Sequence, residues 1–160
     1  MALSLVGCKG SVATSKVTTP EVEIQVNSKT DALKEIAEYE PRINQVLLDA
    51  GLRPIECPVY LQDTLGIRSD KSDVNTCFVS SQLPEELMPL LSDGLKAFSE
   101  VSMGWRMDLG TWTTFRKFKS NQQFSVTLTA PGLREDTRND PKIKEEGTIA
   151  MLFMGYDPQR

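Results

Sequence analysis

The groups in this chain that could do chemistry are three cysteines, a set of aromatic and basic residues in the C-terminal half, and scattered carboxylates; histidine is missing altogether. Histidine is the commonest general base near neutral pH and the commonest metal ligand, so Ser-His-Asp, Cys-His and His-metal mechanisms are excluded. Carboxylates, Lys, Tyr and Cys remain, and each needs a strongly tuned pKa to act as acid or base at neutrality. There is no Gly-x-Gly-x-x-Gly, no Gly-x-x-x-x-Gly-Lys and no Cys-x-x-Cys, so nucleotide, phosphate-loop and zinc sites lack their carriers. Asp63, Asp70, Asp73 and Asn75 carry oxygens that calcium could use, but not in the alternating register that surrounds one ion. The sequence therefore assigns no catalytic residue, no metal site and no cofactor, and binding functions move ahead of enzymatic ones.

Cys57 and Cys77 fall in two predicted strands that flank a polar loop. In an oxidising compartment they are expected to pair, and closing a loop of that size contributes on the order of 3 kcal/mol in the chain-entropy model. In a reducing compartment the same two residues are small buried thiols. The second candidate is a surface of Trp105, Arg106, Trp112, Phe115, Arg116, Lys117 and Tyr156, joined in sequence by Phe118 and Lys119. Aromatic faces beside cations grip sugars, peptides or single-stranded nucleic acid. The competing assignment puts most of these rings in the core and the basic residues on a wet face. Trp112, Phe115 and Phe118 recur at intervals of three, which breaks a strand's period of two and predicts a bulge or helical turn there.

The N-terminus carries an address. Leu5-Val6-Gly7-Cys8 resembles the cleavage and lipidation site of a bacterial lipoprotein, ahead of a Ser-, Thr- and Lys-rich stretch that reads as a tether. The apolar run is short and has no positive side chain before it, so Met1 is read as a late start that kept only the end of the signal. The resemblance implies a thioether-linked diacylglyceryl on Cys8, an acylated amino group and a mature chain beginning at that cysteine. Lys9 at the following position implies delivery to the outer membrane. Several acyl chains hold a protein stably, because each buried methylene contributes about 0.8 kcal/mol. The alternative for Ala2 to Val6 is an edge strand or frayed apolar start with Cys8 buried.

These groups must be positioned by the rest of the chain. At 160 residues the length suits one domain, residues 21–160, after a signal remnant and flexible tether over 1–20. Such a domain buries about 70% of the surface its unfolded chain exposes, enough for a core without staples. Val22, Ile24 and Val26 alternate with polar neighbours and predict a strand over Glu21 to Asn27. A helix broken or kinked at Pro41 follows, ending at Gly51. Strands are expected at Ile55 to Gln62 and Val74 to Ser80, and a helix opens at Leu83-Pro84-Glu85-Glu86. A meander of strands then runs through Val101 to Leu109, Thr111 to Lys119, Phe124 to Ala130 and Thr148 to Tyr156. The unbroken apolar run Ile149 to Met154 belongs in a central strand covered on both faces. Arg134 to Glu146, dense in both charge signs, reads as a solvated loop. Strands and helices come in blocks, which predicts an α+β fold: an antiparallel sheet with two or three helices packed on one face.

A net charge of -4 gives no general attraction to nucleic acid, and none is expected as a partner. The functional expectation is a non-enzymatic, lipid-anchored bacterial envelope protein, at the periplasmic face or outer membrane. Its partners are the membrane, through lipidated Cys8, and a protein or envelope polymer bound by the body. Two alternatives stand beside it. One is a soluble carboxylate-dependent enzyme or small-ligand domain using Tyr156. The other is an intracellular regulatory or phage interaction protein with reduced cysteines in the cytoplasm. The oligomeric state is not legible.

Overall fold

The computed structural model describes residues 21–64, 74–118, 122–133 and 135–155. Cys8, the tether, Asp70, Asp73, Lys119, Arg134 and Tyr156 lie outside the described residues. The body is an α+β arrangement around a six-stranded antiparallel sheet. Its elements in chain order are α1 (Glu21–Asp49), β1 (Arg53–Ile55), α2 (Val59–Thr64), β2 (Val74–Ser80), α3 (Pro84–Leu95), β3 (Glu100–Asp108), β4 (Thr111–Lys117), β5 (Gln123–Thr129), α4 (Glu135–Arg138) and β6 (Thr148–Met154). The strand order is β1-β2-β6-β5-β4-β3.

Two segments differ from their sequence pattern. Glu21 to Asn27, which alternates like a strand, is the first part of α1. Extending an existing helix adds one hydrogen bond per residue, whereas a strand needs a sheet edge to pair with. The α1 helix also continues through Pro41. Ile55 to Gln62 divides between the end of β1 and α2. Pro54 and Pro58 flank the change, and proline shortens a ladder because it has no N–H to donate.

Helix ends follow local chemistry closely. The Leu52 N–H donates to the Leu47 carbonyl at 3.1 Å and the Gly51 N–H to that of Leu48 at 2.9 Å. Gly51 has φ +91°, the left-handed conformation that this helix ending requires and glycine adopts without strain. At the start of α3 the Leu83 N–H donates to the Glu86 carboxylate at 2.8 Å, satisfying a donor that the helix cannot. Gly94 sits where α3 meets α1: a methyl group there would lie 2.5 Å from Val46 Cγ1.

The core has two parts, sorted by the alternation of the strands. Phe78 of β2, Phe124, Val126 and Leu128 of β5, and Ala150, Leu152 and Met154 of β6 form one cluster with Ile43 and Leu47 of α1 and Leu87, Leu91 and Leu95 of α3. Val79 and Ile149, of the opposite parity, join Leu61 of α2 and Ile143 in a smaller cluster. Central β6 has every residue but Phe153 buried, as its unbroken apolar run predicts. The stretch expected as a solvated loop contributes buried groups as well. Ile143 is in the small cluster, and the Thr137 hydroxyl donates to the Pro131 carbonyl at 2.7 Å.

Candidate functional site

The structure joins Cys57, just after β1, to Cys77, in the middle of β2, by a disulfide with Cα atoms 5.0 Å apart. That separation lies within the usual span of about 4.4–6.8 Å. Ile55 of β1 already stands opposite Cys77 in the ladder, so the bridge extends an edge pairing that is only three residues long. The loop it closes carries α2, a six-residue helix too short to hold itself together in water. What fixes α2 in place is tertiary: the bridge on one side and Leu61 in the small cluster on the other.

Against this corner lies the segment that precedes β6. The Tyr60 hydroxyl donates to Asp140 Oδ2 at 2.9 Å, and the other Asp140 oxygen accepts the Lys142 N–H at 2.8 Å. Such a turn is what Asp before Pro favours. Nearby, Arg53 of β1 pairs with Glu146 at 2.6 Å. Between the two walls is a cleft of about 580 Å³, lined on one side by Glu56, Cys57 and Tyr60 and on the other by Asn139, Asp140 and Lys142. Its polar groups include an amide, two carboxylates, an ammonium and a phenol, so it offers hydrogen-bond donors and acceptors of several kinds around an aromatic ring. Among the described residues no group of His, Cys, Asp and Glu is arranged to hold a metal ion.

Among the described residues, the aromatic and basic side chains singled out from the sequence divide between the two sheet faces. Trp105 and Trp112 are half-buried against the helix-side cluster, and the Trp105 indole N–H donates to Ser92 Oγ of α3 at 2.9 Å. Phe115 is of opposite parity to Trp112 in the regularly paired β4, so it projects from the other sheet face. The expected bulge is absent from the β4–β5 pairing; the register shifts are in the β3–β4 pairing, between Val101 and Met103 and between Met103 and Arg106. Irregularity there re-aims Trp105 toward α3 and not outward. Phe118 is buried, stacked on Tyr39 and Phe124 with ring centroids 5.1 and 4.8 Å away.

Arg116 is 2% exposed, and burial lowers its pKa from the ordinary guanidinium value. Its Nε donates to Ser99 Oγ at 2.8 Å, while that hydroxyl donates to the Leu95 carbonyl at 2.7 Å. Arg116 thus places positive charge at the C-terminal end of α3, where the helix dipole favours it. Arg106 is exposed, and Lys117 is half-buried opposite Glu100. A second concavity, of about 380 Å³, lies beside Phe98, Ser99 and Lys117. Arg42 covers the neighbouring Tyr39 and Phe98 rings, 5.1 and 5.0 Å from their centroids.

Tyr60, Asn139 and Asp140 were not singled out by sequence reasoning. The available signals were Asp140-Pro141, a turn starter, and Ile143, the one aliphatic residue in the charged run over 134–146. Neither says that the run folds back on a segment 80 positions earlier. Among the described residues no helix is long and apolar enough to cross a membrane. The chain matches no protein-family model, no curated protein and no solved structure.

Proposed function

We propose that this chain is a lipid-anchored bacterial envelope protein whose α+β body binds another protein or an envelope polymer without transforming it. The observation that carries the reading is the placement of Cys57 against Cys77. Disulfides persist in oxidising compartments and are rare where glutathione and thioredoxin keep thiols reduced. A bridged body therefore fits export, and export is what the lipidation-like Leu5-Val6-Gly7-Cys8 implies. The lack of histidine favours binding over catalysis, because the usual neutral-pH acid-base group is not available. In this reading the two longer helices, α1 and α3, cover one sheet face and stabilise the body, while the face carrying α2 and the bridge supplies the contact site.

Metabolic labelling with palmitate tests the anchor. Label is expected in the chain expressed from its own locus in its own host, and is expected to vanish in Cys8→Ser. Label that persists in Cys8→Ser, or none in the unaltered protein, refutes the anchor. Mass spectrometry of native material with and without reductant tests the compartment. A gain of two hydrogens on reduction is expected, and two free thiols in material from the host would place the chain in a reducing compartment.

A further inference from the structure

We propose that the cleft between α2 and the turn at Asn139 to Ile143 is a saccharide-binding site, which makes the bound envelope polymer a glycan; its biological setting rests on the envelope reading above. The volume of about 580 Å³ falls within the roughly 300–1,000 Å³ usual for small-ligand sites. What selects the ligand class is the lining. A sugar presents flat C–H faces together with hydroxyls that both donate and accept. The cleft presents matching elements: the Tyr60 ring and the rings of Pro58 and Pro141 as flat apolar surfaces, with Glu56, Asn139 and Lys142 around them. The Asn139 amide donates and accepts, the Glu56 carboxylate accepts and the Lys142 ammonium donates.

Charge argues for a neutral ligand. Glu56 and Asp140 stand against Lys142 in the same cleft, so neither a phosphate nor a polyamine meets a field of one sign. The walls are also fixed before any ligand arrives. Asp140 is held by the Tyr60 hydroxyl and the Lys142 N–H, and the opposite wall is tied to β2 through Cys57. Preorganisation of this kind reduces the entropy lost on binding.

The test is an NMR titration of the oxidised, ¹⁵N-labelled full chain. The probes are a β-1,4-linked N-acetylglucosamine tetramer and maltotetraose, with inorganic phosphate and glutamate as charged controls. Saturable shifts are expected for the amides of residues 55–57, 59–60, 139–140 and 142–143 with at least one saccharide, and none with the charged controls at equal concentration. Asn139 is exposed, so Asn139→Ala leaves the fold intact and is expected to weaken the saccharide about tenfold. Tyr60→Ala is expected to abolish binding, with the amides of Ile55 and Leu61 still protected from exchange as the check that this corner stays folded. The site is overturned if neither saccharide shifts these amides, if the shifts fall elsewhere, if phosphate or glutamate produces them equally, or if Asn139→Ala binds as well as the unaltered chain. The titration needs only the folded body, so its failure removes the glycan site and leaves the anchor standing. Failure of palmitate labelling removes the anchor and leaves the titration unaffected.

Discussion

The two faces of the sheet are held by different physics. On the helix side, 16 buried residues from α1, α3, β2, β5, β6 and the segments just after α1 and β4 make one continuous apolar cluster. On the bridge side the cluster has four buried members, Leu61, Val79, Ile143 and Ile149, supplemented by a disulfide, one tyrosine–aspartate hydrogen bond and one arginine–glutamate pair. Apolar burial is non-directional and grows with area, so the first face can stabilise the fold by itself. A short helix and a three-residue strand bury too little to stay in place that way, and specific links compensate. Stability and the candidate site are thereby separated: large side chains fill one face, leaving the polar and cross-linked groups of the other available for contact.

The strongest way to break this division is from the helix side. Leu91 is fully buried in α3, and Leu91→Ala is expected to cost about 2–5 kcal/mol from lost burial and the residual cavity. Denaturant unfolding should show one transition moved to lower midpoint, with β1 and α2 losing protection together with the rest. If the loss is confined to α3, the helix-side cluster is not the unit that supports the sheet.

Next in size is the bridge. Replacing both cysteines, Cys57→Ala with Cys77→Ala, is expected to cost about 2–4 kcal/mol, near the 3 kcal/mol of the chain-entropy model for a loop of this length. Hydrogen exchange sharpens the comparison: the amides of Arg53, Ile55 and Val59–Thr64 should lose protection first while β4, β5 and β6 keep theirs. Uniform loss across the sheet would mean that the bridge supports the whole fold and not one corner.

The smallest effect is expected at the hydrogen bond between walls. Tyr60→Phe keeps the ring on the small cluster and removes only the donor to Asp140, which should cost about 0.5–1.5 kcal/mol. Chemical shifts in the turn at 139–143 should move while those of the helix-side core stay. A change in α1 or α3 would show that the two faces are coupled after all.

Much of the helix side was legible, because its signals are local. The Leu87, Leu91 and Leu95 stripe of α3, the glycine ending of α1 and the alternation of Phe124, Val126 and Leu128 each depend on neighbours within a few residues. The run Ile149 to Met154 was legible for the same reason, since a strand buried on both faces needs apolar side chains on both. The bridge side was misread where local pattern and tertiary need diverge. Ile55 to Gln62 has enough β-branched and aromatic character for a strand, yet only Arg53–Ile55 pairs, and the chain turns into α2 after Cys57 and Pro58. Arg116 looked like a surface cation beside aromatics; nothing within its own strand signals that Ser99 and the end of α3 await it.

The sequence by itself determined the strands of the C-terminal half, the helix ends at Gly51 and Pro84, and the exclusion of histidine chemistry, because each follows from residue identity and short-range periodicity. Only the tertiary structure decided that β6 lies between β2 and β5, that Trp105 turns toward α3, and that Tyr60 meets Asp140 beside the bridge. Those outcomes join residues far apart in the chain. Their energies depend on which surfaces are buried against each other, a quantity that no short window of sequence contains.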